Sequence, residues 1–242
     1  MKRQAFDWSK LDRYTLISVL NGARKEIVGQ KLLIEDLHKI LSHQVKKHLP
    51  IKTKMIRNPG QEEREIYIGG CYYGHYDENQ TNRFIEIIFS YCLFDKFLKI
   101  SQSKWNRMCS VFADTILHEI IHMRQYRTRR WKILPGYESM AHLAKQRKDQ
   151  NYYGHPDEIG AYAFNIACEM YDRFGTNYQM IKRYLNSNQC VRHKRTNYFR
   201  YLKTFDMNHS HRVIKKLKKK VTYYLPYAEF GKPFKTSDHI NY

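Results

Sequence analysis

Between Trp8 and Leu49 the apolar positions return at helical spacing: Leu16, Ile17, Val19 and Leu20, then Ile27, Leu32, Leu33, Leu37, Ile40 and Leu41. Residues three or four apart share one face of a helix, so residues 8–49 are expected to be helical, ending at Pro50. Asn21-Gly22 is expected to break this stretch into two helices. The period then shortens to two. Ile51–Ile56, Glu65–Tyr73 and Arg83–Tyr91 read as three strands, separated by Asn58-Pro59-Gly60 and Asp77-Glu78-Asn79-Gln80. In the third, Ile85, Ile87, Phe89 and Tyr91 fall on one face, the alternation of a half-buried strand.

After Ser101 the helical period returns. Trp105, Met108, Phe112, Ile116, Ile120 and Met123 form an apolar stripe, and Ser101 or Ser103 can cap a helix running to about Arg130. Pro135-Gly136 opens a connection, residues 137–148 are expected to form a short helix, and Asp149–Gly154 a polar loop. Pro156 suits a first helical turn and Gly175 a helix end, which predicts a helix over 156–174. Residues 177–220 read as mostly basic helix. The tail 221–242, with Pro226 and Pro233, reads as an irregular strap.

Helices flanking three strands imply an α+β protein, with a small antiparallel sheet packed on the 101–130 and 156–174 helices. A chain of 242 residues is expected to form one domain. Within it, 1–49 would supply N-terminal helices, 50–175 the core and 176–242 a basic helical extension.

Hydrophobic content of 42% and aromatic content of 14% suit a folded protein. No apolar run is long enough to cross a bilayer, and the start MKRQAFDWSKLDRY has no apolar signal core, so a cytoplasmic protein is expected. Cys71, Cys92, Cys109, Cys168 and Cys190 form no CxxC pair, a usage that fits reduced thiols. The formal charge is +20 and it is uneven. From Lys182 to Lys220 there are thirteen Lys and Arg against one acid, Asp206, with Tyr184, Tyr198, Phe199 and Tyr201 interleaved. Such a segment could contact nucleic acid or another acidic partner, or simply form a solvated helical face.

The densest chemistry lies inside the long helix, at His118-Glu119-Ile120-Ile121-His122. Positions i and i+4 stand one turn apart on one face, so both imidazoles can reach one ion. Glu119 then lies beside the ion, placed to take a proton from water. This HExxH pattern points to zinc hydrolysis. A catalytic zinc takes three protein ligands and leaves one position open. Glu158, at the start of the 156–174 helix, is the best third candidate because Gly160 and Ala161 allow a neighbouring helix to approach. Asp157, His155 and His142 compete with it. Tyr152, Tyr153, His155 and Tyr162 are candidates to contact substrate or stabilise a developing oxyanion.

HEIIHMRQY followed by YYGHPDEIGAYA resembles the minimal zincin metallopeptidases of the gluzincin type, and small metallopeptidase-like proteins of phage genomes. The resemblance spans roughly residues 50–175. It implies a zincin-like fold, Zn2+ held by His118, His122 and Glu158, Glu119 as catalytic base, and a protein or peptide substrate. A phage-encoded chain of this kind would act in the host cytoplasm or the virion. Substrate would add as a strand to 65–73 or 83–91. Two other functions fit the same residues: a zincin-like structural or virion-associated protein without activity, and a nucleic-acid-binding protein using the basic C-terminal region.

Weaker signals remain. Cys190, His193, His209 and His211 could form a second zinc site, although their spacing is irregular. Ile68-Gly69-Gly70-Cys71 lacks the Lys-Ser/Thr ending of a phosphate loop, and no GxSxG is present.

Overall fold

The computed structural model describes residues 6–58, 66–73, 84–91, 97–130, 132 and 145–233. The chain is α+β: helices predominate, with a three-stranded and a two-stranded sheet among the described residues. Its internal contacts divide it into two units, one ending at Met123 and the other beginning at Arg124.

In the first unit, Asp12 accepts a hydrogen bond from the Thr15 amide at 2.7 Å and so caps α1 (Arg13–Asn21). The helix stops at Asn21-Gly22 as expected. A short α2 (Arg24–Ile27) follows, and there the continuous helical reading fails. Gly29 takes φ +83°, which an α-helix cannot accommodate, and its amide donates to the Ile100 carbonyl at 3.0 Å. The chain instead forms strand β1 (Lys31–Leu33) before α3 (Ile34–His48). β1 pairs antiparallel with β5 (Phe97–Lys99), a partner more than sixty residues away that periodicity could not reveal.

The three expected strands are β2 (Lys52–Arg57), β3 (Tyr67–Tyr73) and β4 (Phe84–Tyr91). The turns expected between them fall wholly or partly outside the described residues. The sheet is mixed rather than antiparallel, with order β2-β4-β3. β3 runs antiparallel to β4, with Gly70 opposite Ile87, while β2 runs parallel to β4, with Thr53 opposite Ile87. The last strand inserts between the first two, so chain order does not give neighbour order. Ile85, Ile87, Phe89 and Tyr91 are all buried, as their alternation requires.

α4 (Gln102–Thr128) starts after Ser101, whose hydroxyl accepts from the Lys104 amide at 3.4 Å. Its whole apolar stripe, Trp105 to Met123, is buried. Two residue clusters join it to α1, Arg13 with Asp114 and Asn21 with Trp105 and Cys109. Arg13 Nε meets Asp114 Oδ1 at 2.7 Å, and Trp105 Nε1 donates to Asn21 Oδ1 at 2.9 Å.

In the second unit the expected helix over 137–148 lies mostly outside the described residues. α5 (Lys145–Gly154) runs straight through the stretch read as a polar loop. Its helical form brings Tyr153 onto Tyr162 and Tyr201, with ring centroids 5.4 and 4.9 Å away, and Gln150 onto the Thr204 carbonyl at 3.1 Å. Tertiary packing overrides local propensity there. α6 (Pro156–Phe174) has the predicted bounds and ends at Gly175, where φ is +56°.

The expected basic helix over 177–220 is three helices: α7 (Tyr178–Leu185), α8 (Asn197–Thr204) and α9 (Arg212–Ala228). A 3-10 turn, Asn188–Arg192, and positive φ at Asp206 and Met207 interrupt it. Asn177, Thr196 and His211 cap the three N-termini. α9 packs along α6 and buries Ile214, Leu217, Val221, Leu225 and Ala228. It continues through Pro226, so the first part of the expected strap is helical. Among the described residues no helix is long and apolar enough to cross a membrane.

Candidate metal centre

α4 sets His118 and His122 one turn apart with their Nε2 atoms 3.0 Å from each other. Their ring centroids are 4.7 Å apart. One potential ligand atom from each of His118, His122 and Glu158 lies within 4.8 Å of the others. All three are buried, at 6%, 7% and 3% exposure. Among the described residues no other group of His, Cys, Asp and Glu comes together in this way.

The donor set fits a metal ion. Tetrahedral bonding to zinc at about 2.0–2.1 Å needs nitrogens roughly 3.3 Å apart, close to the separation of the two imidazoles. Burying a carboxylate is costly unless positive charge or hydrogen bonds face it, and an ion at this place would supply the charge.

Local chemistry explains why Glu158, rather than its neighbours, joins the histidines. His155 is the N-cap of α6: its Nδ1 accepts from the Asp157 amide at 3.3 Å. The Asp157 carboxylate is taken by Arg129 in a two-bond pair, Nη1–Oδ1 at 2.5 Å and Nη2–Oδ2 at 2.7 Å. Gln125 Nε2 donates to the Asp157 carbonyl at 3.1 Å. The last turn of α4 thereby grips the first turn of α6. Gly160 serves the same approach, since a Cβ there would stand 2.6 Å from Gln125 Nε2. His142, the remaining competitor, lies outside the described residues.

Glu119 is buried and lies against strand β3. A Cβ on Gly70 would stand 2.9 Å from both Glu119 Cγ and Oε1. β3 pairs only with β4 among the described strands, so Glu119 sits beside an edge of the sheet.

The tyrosines named from the sequence gather around Glu158. Tyr152 hydrogen-bonds to Glu158 and Tyr162. Burial drives its pKa far up, and Tyr162 and Glu158 add to the effect. Burial raises Tyr162 as well, Tyr153 and Glu158 reinforce it, and Arg200 opposes it. Both phenols therefore stay neutral donors at ordinary pH. The Arg200 guanidinium donates to Tyr153 and Tyr162, and Tyr201 packs on Tyr162 with centroids 5.5 Å apart.

Sequence reasoning missed Arg129, Arg200, Tyr201 and Gly70. Only Gly70 left a usable trace, because a glycine inside a strand signals close approach by another group. The second candidate zinc group does not assemble. His193 faces Arg173 and Tyr184, His209 faces Asn188 and Lys218, and His211 caps α9 and stacks on Phe205.

No protein-family model, curated protein or solved structure matches the chain.

Proposed function

We propose that this chain is a zinc-dependent peptidase of the zincin type, cutting a protein or peptide substrate. The observation that carries this reading is the convergence of His118, His122 and Glu158, with Glu119 one residue beyond the first histidine. Two imidazoles and one carboxylate are a donor set that leaves a position open on zinc. When bound, the ion supplies Lewis acidity, polarising a carbonyl and making water more acidic.

The chain's own residues do the rest. Glu119 takes the proton of the attacking water and passes it to the leaving amine. Its burial beside β3 keeps it near one orientation. The open side of β3 offers backbone N–H and C=O groups to an extended peptide, which would lie alongside Glu119. Neutral Tyr152 is a hydrogen-bond donor that steadies the Glu158 carboxylate, with Tyr162 beside it.

The test pairs metal analysis with cleavage. Wild type should carry about one zinc per chain, and His118→Ala and Glu158→Ala should lose it. Glu119→Gln should keep the metal and lose cleavage of a casein or mixed-peptide substrate by at least about 100-fold. Cleavage by Glu119→Gln at the wild-type rate would refute the assigned base.

A further inference from the structure

The strongest feature outside the metal centre is one face of α9. Six of the nine residues from Arg212 to Lys220 are basic, and the whole helix carries no acid. The apolar side is buried, which turns Arg212, Lys215, Lys216, Lys219, Lys220 and Tyr223 outward. Among the described residues none of these five cations pairs with a carboxylate.

Other basic residues of the C-terminal region are drawn into local contacts. Arg173 meets His193, Arg200 meets Tyr153 and Tyr162, and Lys218 reaches Asn186 and His209. The outward cations of α9 thus form a distinct stripe. Tyr223 stands at its end, 62% exposed, with its ring 5.2 Å from Tyr224 and 5.5 Å from Tyr227.

We infer that this face of α9 binds the phosphate backbone of single-stranded nucleic acid, with Tyr223 stacking on a base. Arg212 to Tyr223 spans about 16 Å at 1.5 Å per residue. That is long enough to follow a few successive phosphates of one strand. Like charges at i,i+3 and i,i+4 repel one another, and a bound polyanion relieves that repulsion. A bilayer is the poorer partner because the apolar side of α9 is spent on α6 and cannot insert. An exposed ring beside a cationic track is the arrangement that holds single strands without regard to sequence. This assignment is independent of the peptidase reading.

The experiment is a salt titration of the full-length protein against fluorescent oligothymidylate. Wild-type affinity should fall steeply as salt rises. Replacing Lys215, Lys216 and Lys219 by Gln should reduce the log–log slope by about 2, at roughly 0.7 per lost phosphate contact. Replacing Lys25, Lys46 and Lys47 by Gln removes the same charge from exposed positions on α2 and α3, and should leave the slope unchanged. Tyr223→Ala should weaken binding about tenfold at unaltered slope. Circular dichroism confirms that each variant is folded. A flat salt response, or equal losses in the two triple variants, overturns the proposal. So does tighter binding to phosphatidylserine vesicles than to the oligonucleotide.

Discussion

Gly70 on β3 and Glu119 on α4 touch across the space a side chain would fill: a Cβ at Gly70 would also meet Thr115 Cγ2 at 2.7 Å. The sheet edge and the helix approach this closely only because residue 70 has no side chain. Gly70→Ala should therefore displace Glu119 and destabilise the fold by about 1–3 kcal/mol through overpacking. Under the peptidase reading turnover should fall well beyond that loss of fold, while metal content stays at the wild-type level. Thermal unfolding, metal analysis and a cleavage assay on one preparation separate these effects, and wild-type stability would show that the contact is soft.

The Arg129–Asp157 pair gives a second expectation. Asp157 is almost fully buried and Arg129 is partly exposed, so removing one partner strands a poorly solvated charge. Asp157→Ala should cost about 2–4 kcal/mol, measured by urea denaturation. It should also weaken metal binding, because the pair anchors the first α6 turn that carries Glu158. A double variant with Arg129→Met should recover part of the stability.

Metal addition should stabilise wild type and not His118→Ala. Free zinc at 100 times its dissociation constant contributes about 2.7 kcal/mol to the folded state. A chelator should return the melting temperature to its starting value. Tyr152→Phe should weaken this response about 10- to 100-fold in affinity by removing the bond that orients Glu158.

Alkaline pH should unfold the protein through its buried phenols and thiol. Burial holds Tyr152 far above the ordinary value of 10.0 and lifts Cys109 from 9.0 to about 12. Each group binds its proton more tightly folded than unfolded. Their stabilisation is complete below the unfolded pKa and drains away as pH rises past it. Stability should thus be flat with respect to these groups up to about pH 9 and fall above it, first through Cys109 and then through Tyr152. Denaturation midpoints between pH 8 and 11 test this, and a Cys109→Ala variant should show a shallower initial decline.

Local physics made much of the chain legible in advance. The stripe from Trp105 to Met123 follows a 3.6-residue period because one side of α4 faces the core, and Pro156 and Gly175 mark the ends of α6. His118 and His122 share a face by helix geometry alone. Other features depend on partners distant in sequence. β1 became a strand because Phe97–Lys99 was there to pair with it, and β2 neighbours β4 rather than β3 because β4 inserts between the two earlier strands. α5 extends through a polar stretch because Tyr162 and Tyr201 receive Tyr153. Asp157 and Glu158 are adjacent carboxylates, and by sequence Glu158 leads with Asp157 as its nearest competitor. Arg129 takes the first, leaving Glu158 to lie with the histidines. Periodicity and capping act over a few residues and can be read from the chain. Strand neighbours, ion-pair choice and the meeting of Gly70 with Glu119 depend on long-range packing, which only the tertiary structure decides.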